Sequence, residues 1–381
     1  MSLDIVIFGL SITSSWGNGH ATTYRALVKA LDQRGHRVTF LERDAPWYQQ
    51  HRDLPRAPYC QTELYAELKD VPDRYHKLVS EADLVIVGSY VPNGAVLADW
   101  VTMNATGVTA FYDIDTPVTL ALLDAGGAEY IAARLIPRFD LYLSFTGGPV
   151  LDLIERRYGS PRARAFYCSI DPDSHKPVRA EPRWDLGYLG TYAEDRQEQL
   201  NRFLLGPARK LPRKRFVVAG ARYPEGVPWP SNVERIEHLP PDGHSAFYSS
   251  QRFTLNITRA NMIEAGFSPS VRLFEAAACG VPIISDRWAG MESVLEPDKE
   301  ILIVDTPAQV MNILREFPEQ HRAAIAASAR KRILGSHTAE QRVSQLEQYY
   351  QEVAAQNRPN GSLHTQSTGP RIDSIAAITD Y

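Results

Sequence analysis

Residues 268–286 have the sequence SPSVRLFEAAACGVPIISD. The first part has helical spacing, and three apolar side chains share one face of that helix: Leu273, Phe274 and Ala277. Gly280 ends the helix, and the apolar run 281–285 after it predicts a buried strand. A helix that leads directly into a buried strand is typical of a parallel, doubly wound α/β sheet.

Short apolar runs alternate with helical patterns through both halves of the chain. The predicted strands cover residues 4–9, 37–42, 83–87, 108–112, 140–145, 163–168, 184–189, 215–219, 253–257, 281–285 and 301–304. We therefore predict an α/β protein with two facing Rossmann-like domains, at 1–170 and 171–336, and a cleft between them. A terminal helix at 337–356, where His337 is expected to be structural, should pack back on the first domain. The polar residues 357–381 predict a flexible tail.

Composition narrows the classes of partner. The 381 residues include 41 Lys and Arg and 45 Asp and Glu, a formal net charge of −4, which argues against a nucleic-acid partner. Cys60, Cys168 and Cys279 are far apart with no Cys-x-x-Cys pair, which argues against a disulfide framework or a zinc site. The first ten residues indicate a strand rather than a signal peptide, and no apolar run approaches the about 20 residues of a membrane span. These features predict a cytoplasmic protein.

The start of the helix within 268–286 carries the candidate binding residues. Ser270 is a suitable cap, and the free N–H groups from Val271 onward, together with Arg272, suit a diphosphate. Glu275 lies one turn further and can accept hydrogen bonds from both hydroxyls of a ribose. The alternative is an ordinary i, i+3 surface pair of Arg272 and Glu275. The coincidence of the helix start, its glycine stop and the α/β context favours the nucleotide site.

Residues 271–286, VRLFEAAACGVPIISD, resemble the donor-binding segment of GT-B glycosyltransferases. The similarity is closest to the CgeB-like group (spore maturation protein type) with a "glycosyl transferases group 1" C-terminal domain, and it is specific over residues 253–346. Further residues carry it, namely Asn256–Arg259, Cys168–Pro172, His175, Pro177, His337, Thr338 and Arg342. The resemblance implies the GT-B architecture with C-terminal helices that cross back to the first domain. It also implies a nucleoside diphosphate sugar donor in the second domain, an acceptor mainly in the first, and no metal or cofactor.

The sequence departs from the pattern of this superfamily at one position. Many retaining members have Glu-x7-Glu, and Glu275 matches the later glutamate, but Phe267 stands eight residues earlier. Gly266, Ser268 or backbone groups are alternatives for holding the sugar, and Glu264 is another. The resemblance implies a hexosyltransferase with UDP-sugars among its possible donors, and it leaves retention of the anomeric configuration open.

Three further candidate sites lie in loops of the second half. Arg222 follows the strand at 215–219, where an open α/β sheet binds ligands, and can hold the diphosphate or lie in a surface loop. Arg259 follows the strand at 253–257, and the resemblance makes it a donor-binding residue. By the same resemblance, His238 and Leu239 open a loop that frames the nucleobase, with a simple turn as the alternative.

The first half supplies the candidates for catalysis. Gly19 and His20 lie in the loop after the first strand, where a glycine lets a backbone approach the donor and a histidine can contact phosphate or act as a base. Asp113 and Asp115 follow the strand at 108–112; the two carboxylates can orient acceptor hydroxyls, and one of them, with Asp113 as the candidate, can act as a general base. For Asp115 and Thr116 the expected role is capping of the helix that Pro117 begins.

Two other functions remain as alternatives to a glycosyltransferase. A nucleotide-sugar epimerase of the same fold would convert the donor without an acceptor, and a non-catalytic protein would bind the nucleotide sugar without turnover. The sequence specifies neither the base, the sugar nor the acceptor, and it leaves a homodimer open.

Overall fold

The structure is a computed structural model that describes residues 2–17 and 19–357. Residues 358–381, which make up all but the first residue of the predicted tail, lie outside the described residues.

The first half of the chain forms a seven-stranded sheet in which every pairing is parallel. Its strands are β1 (Asp4–Gly9), β2 (Arg37–Arg43), β3 (Gln61–Tyr65), β4 (Leu84–Gly88), β5 (Val108–Asp113), β6 (Leu141–Ser144) and β7 (Ala163–Ala165). The order β3-β2-β1-β4-β5-β6-β7 is that of a dinucleotide-binding fold. The sequence did not predict β3, because its residues, QTELY, contain no apolar run and lie at the half-exposed edge of the sheet.

The second half forms a six-stranded sheet, also with parallel pairings throughout. Its strands are β8 (Trp184–Leu189), β9 (Phe216–Ala219), β10 (Val233–Ile236), β11 (Gln251–Asn256), β12 (Ile283–Ser285) and β13 (Leu302–Ile303). The order β10-β9-β8-β11-β12-β13 repeats that of the first sheet. The expected fold class, with two Rossmann-like parallel sheets, is therefore confirmed.

Helices cover the sheets, as parallel strands buried on both faces require. They are α1 (His20–Gln33), α2 (Pro46–Gln49), α3 (Val71–Glu81), α4 (Gly94–Asn104), α5 (Thr116–Asp124), α6 (Pro149–Tyr158), α7 (Glu194–Leu200), α8 (Gly206–Lys210), α9 (His244–Ser249), α10 (Ala260–Ala265), α11 (Val271–Ala278), α12 (Pro307–Glu316), α13 (Glu319–Ser336) and α14 (Ala339–Asn357). Every residue of α11 from Arg272 onward is buried, which makes it a central element of the second half.

The two terminal helices connect the halves. Helix α13 packs on α11, and α14 packs on α1 of the first half. At the corner between them, the N–H of Ile170 donates to the His337 carbonyl at 3.2 Å, and the N–H of Ala339 donates to the Ile170 carbonyl at 2.9 Å. Arg342 is buried there and donates to the Tyr167 carbonyl at 2.9 Å. The chain thus returns to the first half along α14, and the role of His337 at this corner is structural.

Candidate active site

A cleft with a volume of about 590 Å³ lies between the two sheets. Its lining follows the carboxyl ends of strands from both halves: Leu10, Tyr90, Asp115, Phe145, Leu189, Gly190, Gly220, Arg222, His238 and Arg259. Open α/β sheets bind ligands at this edge, because the loops and helix N-termini that follow the strands point there. The sequence predicted ten binding or catalytic residues that line this cleft: Gly19, His20, Arg222, His238, Leu239, Arg259, Ser270, Val271, Arg272 and Glu275.

The N-terminus of α11 opens into the cleft. Ser270 is the N-cap residue in an extended conformation; its hydroxyl donates to Asn256 Oδ1 at 2.7 Å and accepts no hydrogen bond from the N–H groups of the helix. Because no side chain caps the helix, its first N–H groups and its positive dipole end remain available for an anion. Val271 begins the helix and lines the cleft beside Ser270.

Arg272 is buried against the strand ends beneath this helix start. Its guanidinium donates from Nε to the Leu189 carbonyl at 2.7 Å and from Nη1 to Asn256 Oδ1 at 2.8 Å, and it lies over the Tyr188 ring. A Cβ on Gly190 would lie 2.9 Å from Arg272 Nη2, so the glycine leaves room for the guanidinium. Arg272 is therefore held rigidly with its charge at the cleft. Asn256, which accepts hydrogen bonds from both Ser270 and Arg272, is among the residues that carry the family resemblance, but the sequence did not predict it as a site residue.

Glu275 lies one turn further into the cleft and is 5% exposed. The Tyr248 hydroxyl donates to its Oε2 at 3.2 Å, and His244 Nδ1 and His175 Nε2 each lie 3.7 Å from a carboxylate oxygen. Burial raises the pKa of Glu275, but the two histidines and the hydroxyl outweigh it and bring the pKa to about 2. Glu275 is thus an anion whose partners lie in α9 and the interdomain connection, and an ordinary surface pair with Arg272 is excluded because both are buried.

Arg222 and Arg259 also face the cleft from the second half. Arg222 has a φ of +68°, an uncommon conformation for a non-glycine residue. The side chain reaches across the cleft to the first half: a Cβ atom added to Gly17 would lie 3.9 Å from Nη2 of Arg222. Arg259, at the N-cap of α10, lies 3.1 Å from Asp115 and 3.4 Å from Asp195. Both arginines lie where the sequence places them, on loops after β9 and β11.

The predicted nucleobase loop forms the far end of the cleft. His238 and Leu239 both line it. Trp16, from the first half, stacks on His51 with ring centroids 4.5 Å apart, and its ring lies 6.5 Å from that of His238. The sequence pattern gives Trp16 no role, because only the tertiary structure brings these three rings together.

His20 and Gly19 lie on the first-half wall of the cleft. Gly19 is the N-cap of α1 and His20 is its first residue. The His20 ring meets the Tyr90 ring edge-on at 5.3 Å. Burial lowers the pKa of His20, so the imidazole is neutral near pH 7. A neutral imidazole at this position suits a hydrogen bond to a hydroxyl better than a salt bridge to a phosphate.

The position of Asp113 differs from the one expected for a catalytic residue. Asp113 is fully buried and is not part of the cleft lining. Its oxygens accept hydrogen bonds from the Thr119 hydroxyl at 2.8 Å, from the Asp115 N–H at 3.3 Å and from the Tyr142 hydroxyl. Burial raises the pKa of Asp113 to about 6. Because β5 continues to Asp113, its side chain points between β6 and α5, and this geometry supports a structural role.

Asp115 occupies the cleft instead. It stands at the N-cap position of α5, but its side chain makes no capping hydrogen bond. Its Oδ2 accepts hydrogen bonds from the Tyr90 hydroxyl at 3.0 Å and from Arg259 at 3.1 Å, while Oδ1 has no hydrogen-bond partner among the described residues. Burial raises the pKa of Asp115 and the Arg259 charge opposes it. Asp115 therefore does not cap α5 through its side chain, contrary to the expectation. The Thr116 hydroxyl is hydrogen-bonded to the Ser144 hydroxyl at 2.8 Å.

The segment around Phe267 packs on the first half. Phe267 has a φ of +47°, and its ring fills the space beside Gly148 and Gly290, where added Cβ atoms would collide with it. Its carbonyl accepts a hydrogen bond from the Gly147 N–H at 2.9 Å. Ser268 is buried and accepts a hydrogen bond from Thr146. Glu264 is exposed on α10 and does not line the cleft.

No helix among the described residues is long and apolar enough to cross a membrane. Curated protein sequences give no significant match to the chain. Residues 196–348 match the protein family described as "Glycosyl transferase-like". This match covers α11 with Arg272 and Glu275, and also Arg222 and Arg259.

Solved structures match nearly the whole chain. Sucrose-phosphate synthase from Thermosynechococcus elongatus is 16% identical with a TM-score of 0.66, and the match covers 93% of this chain and 100% of that one. Anabaena HepE, in complex with UDP and glucose, is 11% identical with a TM-score of 0.63 and a coverage of 92% and 100%. An alpha-glucosyltransferase, in complex with UDP and a 13-mer DNA, is 14% identical with a TM-score of 0.70 and a coverage of 92% and 99%. The chain thus has the GT-B fold, and its residues 196–348 are similar to the glycosyl transferase-like family.

Proposed function

We propose that this protein is a glycosyltransferase that moves a sugar from a nucleoside diphosphate sugar to an acceptor without a metal ion in the chemical step. One observation carries the proposal: the uncapped N-terminus of α11, a buried carboxylate and the side chains of Arg222, Arg259 and Arg272 line the same cleft. Helix N-termini and arginines bind diphosphates, and a carboxylate about one turn away is at the right distance for the ribose.

The donor is proposed to lie along the second-half wall. The diphosphate contacts the first N–H groups of α11 with Arg222 and Arg259, while Arg272 supplies a fixed charge behind them. Glu275 accepts hydrogen bonds from the ribose hydroxyls, and the loop at His238 and Leu239 frames the base. UDP is the first nucleotide to test, since two of the similar structures contain it. The family match of residues 196–348 supports a donor in this half of the chain.

The chemistry requires stabilisation of the departing diphosphate. As the bond between the anomeric carbon and the diphosphate oxygen breaks, negative charge grows on that oxygen, and the arginines and the helix dipole stabilise it. The acceptor hydroxyl attacks from the first-half side. Asp115, with a carboxylate oxygen free of hydrogen bonds among the described residues, receives its proton, and His20 orients the hydroxyl.

The stereochemical outcome follows from the role of Asp115. If Asp115 acts as a base that activates the acceptor for direct attack, the anomeric configuration of the sugar is inverted. The resemblance to retaining enzymes instead implies that the configuration is retained and that no such base acts. The NMR coupling of the anomeric proton in the product distinguishes the two. We further propose assignment to the CgeB-like group and a cytoplasmic location.

A donor screen tests the proposal. Calorimetry with UDP, GDP, ADP and TDP should give binding of one nucleotide, and Glu275→Gln should weaken it about tenfold, the loss expected for a hydrogen bond to a charged group. The matching UDP-, GDP-, ADP- or TDP-sugars should then be hydrolysed slowly in the absence of acceptor.

The other outcomes contradict the proposal in different ways. Absence of nucleotide binding rejects the donor site. Conversion of the donor sugar to its epimer, seen by NMR, identifies an epimerase. Tight binding with no turnover of any sugar donor identifies a non-catalytic binding protein.

A further inference from the structure

Three side chains with metal-ligand chemistry meet at the floor of the cleft. His175 comes from the interdomain connection, His244 from the start of α9, and Glu275 from α11. They are 5%, 8% and 5% exposed, and one nitrogen or oxygen from each lies within 4.8 Å of the other two. Two imidazoles and a carboxylate are the ligand set of many sites for zinc and related ions.

The distances match an ion better than direct hydrogen bonds. Each histidine nitrogen lies 3.7 Å from a Glu275 oxygen, which is too long for a hydrogen bond. Two ligands at about 2.0–2.1 Å on a tetrahedral zinc ion are about 3.3 Å apart. The two contacts use different oxygens of Glu275, Oε1 for His175 and Oε2 for His244, and the ligand atoms of the three side chains lie within 4.8 Å of one another. The side chains would therefore close around one ion by movements of up to about 1.5 Å.

The surroundings also fit a metal site. Neither ring nitrogen of His175 has a hydrogen-bond partner among the described residues, although the side chain is buried. A buried, unsatisfied polar group is costly, and an ion would satisfy one nitrogen. Glu275 is oriented by the Tyr248 hydroxyl at 3.2 Å.

We propose that His175, His244 and Glu275 bind one divalent transition-metal ion, of which zinc is the best fit, with a fourth position open to the cleft. His244 and Glu275 both line the cleft, so an ion can enter from it. The cysteine spacing gave no sign of this site because it uses no thiol. The ion is not part of the transfer chemistry.

Ion binding has a consequence for the nucleotide, and this second step rests on the proposed function. The ion and a ribose both require the Glu275 carboxylate. A bound zinc ion therefore excludes the nucleotide, and zinc inhibits the enzyme by competition with the donor.

Cobalt titration of the full chain, freed of any affinity tag, tests the site. Co²⁺ in a low-coordinate site with two nitrogens and a carboxylate absorbs visible light, and we expect one equivalent to bind and zinc to displace it. His175→Ala and Glu275→Gln should weaken binding at least tenfold. His76→Ala, an exposed histidine on α3, is the matched control and should leave binding unchanged.

Several results would overturn the site. Absence of a visible band would mean that the three side chains bind no ion, and a band that His175→Ala and Glu275→Gln leave unchanged would mean an adventitious ion only. Circular dichroism checks that each variant is folded, and His175→Gln, which keeps a polar side chain of similar length, replaces His175→Ala if that variant unfolds.

A second titration separates the ion from the proposed function. Saturating UDP, or the nucleotide found in the donor screen, should raise the apparent Kd for Co²⁺ at least tenfold. Cobalt binding that is insensitive to a bound nucleotide would reject the competition while the ion site stands. Cobalt binding without binding of any nucleotide would confirm the ion site and reject the donor site.

Discussion

The Nη1 atom of Arg259 lies 3.1 Å from Oδ2 of Asp115, so an arginine that follows β11 pairs with a carboxylate that follows β5 across the cleft. Arg259 is also 3.4 Å from Asp195, in α7 of its own half. A diphosphate in the cleft would compete with Asp115 for this guanidinium. Donor binding and release of Asp115 for the acceptor are thereby coupled through one side chain.

Asp115→Asn should separate catalysis from nucleotide binding. Loss of a general base lowers turnover by about 10²–10⁴-fold. Nucleotide affinity should not fall, because Arg259 loses its anionic partner and is freed for the diphosphate. Turnover with the preferred sugar donor and calorimetry with its nucleotide measure the two effects. Asp195→Asn, which removes the other carboxylate partner of Arg259, is the control and should keep turnover within a few-fold of the original. A parallel loss of affinity and turnover in Asp115→Asn would contradict the assignment.

Arg222 offers a matched pair of substitutions. Arg222→Ala and Arg222→Gly both remove the guanidinium and should weaken nucleotide binding about tenfold or more, in line with hydrogen bonds to charged groups. At a φ of +68° only glycine is free of strain, so Arg222→Gly should be more stable than Arg222→Ala by about 1 kcal/mol. Calorimetry and denaturant unfolding give the two quantities. Unchanged affinity in both variants would place Arg222 outside the donor site.

Phe267→Glu introduces the carboxylate that the Glu-x7-Glu pattern would place at this position. We expect no gain in transfer rate, because the side chain packs beside Gly148 and Gly290 rather than in the cleft. Stability should fall by about 1–3 kcal/mol, since a half-buried aromatic ring is lost and a charge takes its place. Phe267→Ala serves as the uncharged reference in the same unfolding and activity measurements. A higher transfer rate in Phe267→Glu than in Phe267→Ala would show that the side chain reaches the sugar.

His337 should make stability depend on pH. Burial and the charges of Arg342 and Arg332 lower the pKa of His337 to about 3, and Arg342 lies 2.6 Å from its Nδ1. The unfolded chain therefore binds the proton more readily. The contribution is fully present above about pH 6.5, the ordinary pKa of histidine, and is lost as the pH falls toward 3.

Denaturant unfolding between pH 4 and pH 7 measures this contribution. His337→Asn retains an acceptor for Arg342 but does not titrate. As the pH decreases, the free energy of unfolding of the variant should fall less steeply than that of the original protein. The two slopes should differ by up to about 1.4 kcal/mol per pH unit, the effect of one proton. Equal slopes in the two proteins would show that His337 is protonated alike in the folded and unfolded chains.

The sequence predicts the fold and much of the second-half site because both depend on local patterns. Apolar runs alternating with helices require parallel sheets, and in such sheets every loop after a strand reaches the same edge. For that reason Arg222, Arg259 and the start of α11 meet in one cleft although up to about fifty residues separate them. Sequence patterns do not reveal which of two neighbouring carboxylates faces that cleft. The sequence also misses the edge strand β3, because its half-exposed residues contain no apolar run.

By itself the sequence determined two Rossmann-like halves, the helix start at Ser270 and the charges at Arg272 and Glu275, because periodicity and chemistry are written in consecutive residues. Tertiary structure alone decided that Asp115 rather than Asp113 reaches the cleft, since the end of β5 and its packing on β6 set which side chain is buried. Tertiary structure alone also brought His175 within 3.7 Å of Glu275, one hundred residues away in the chain. Such contacts arise from the packing of distant elements, on which local sequence patterns carry no information.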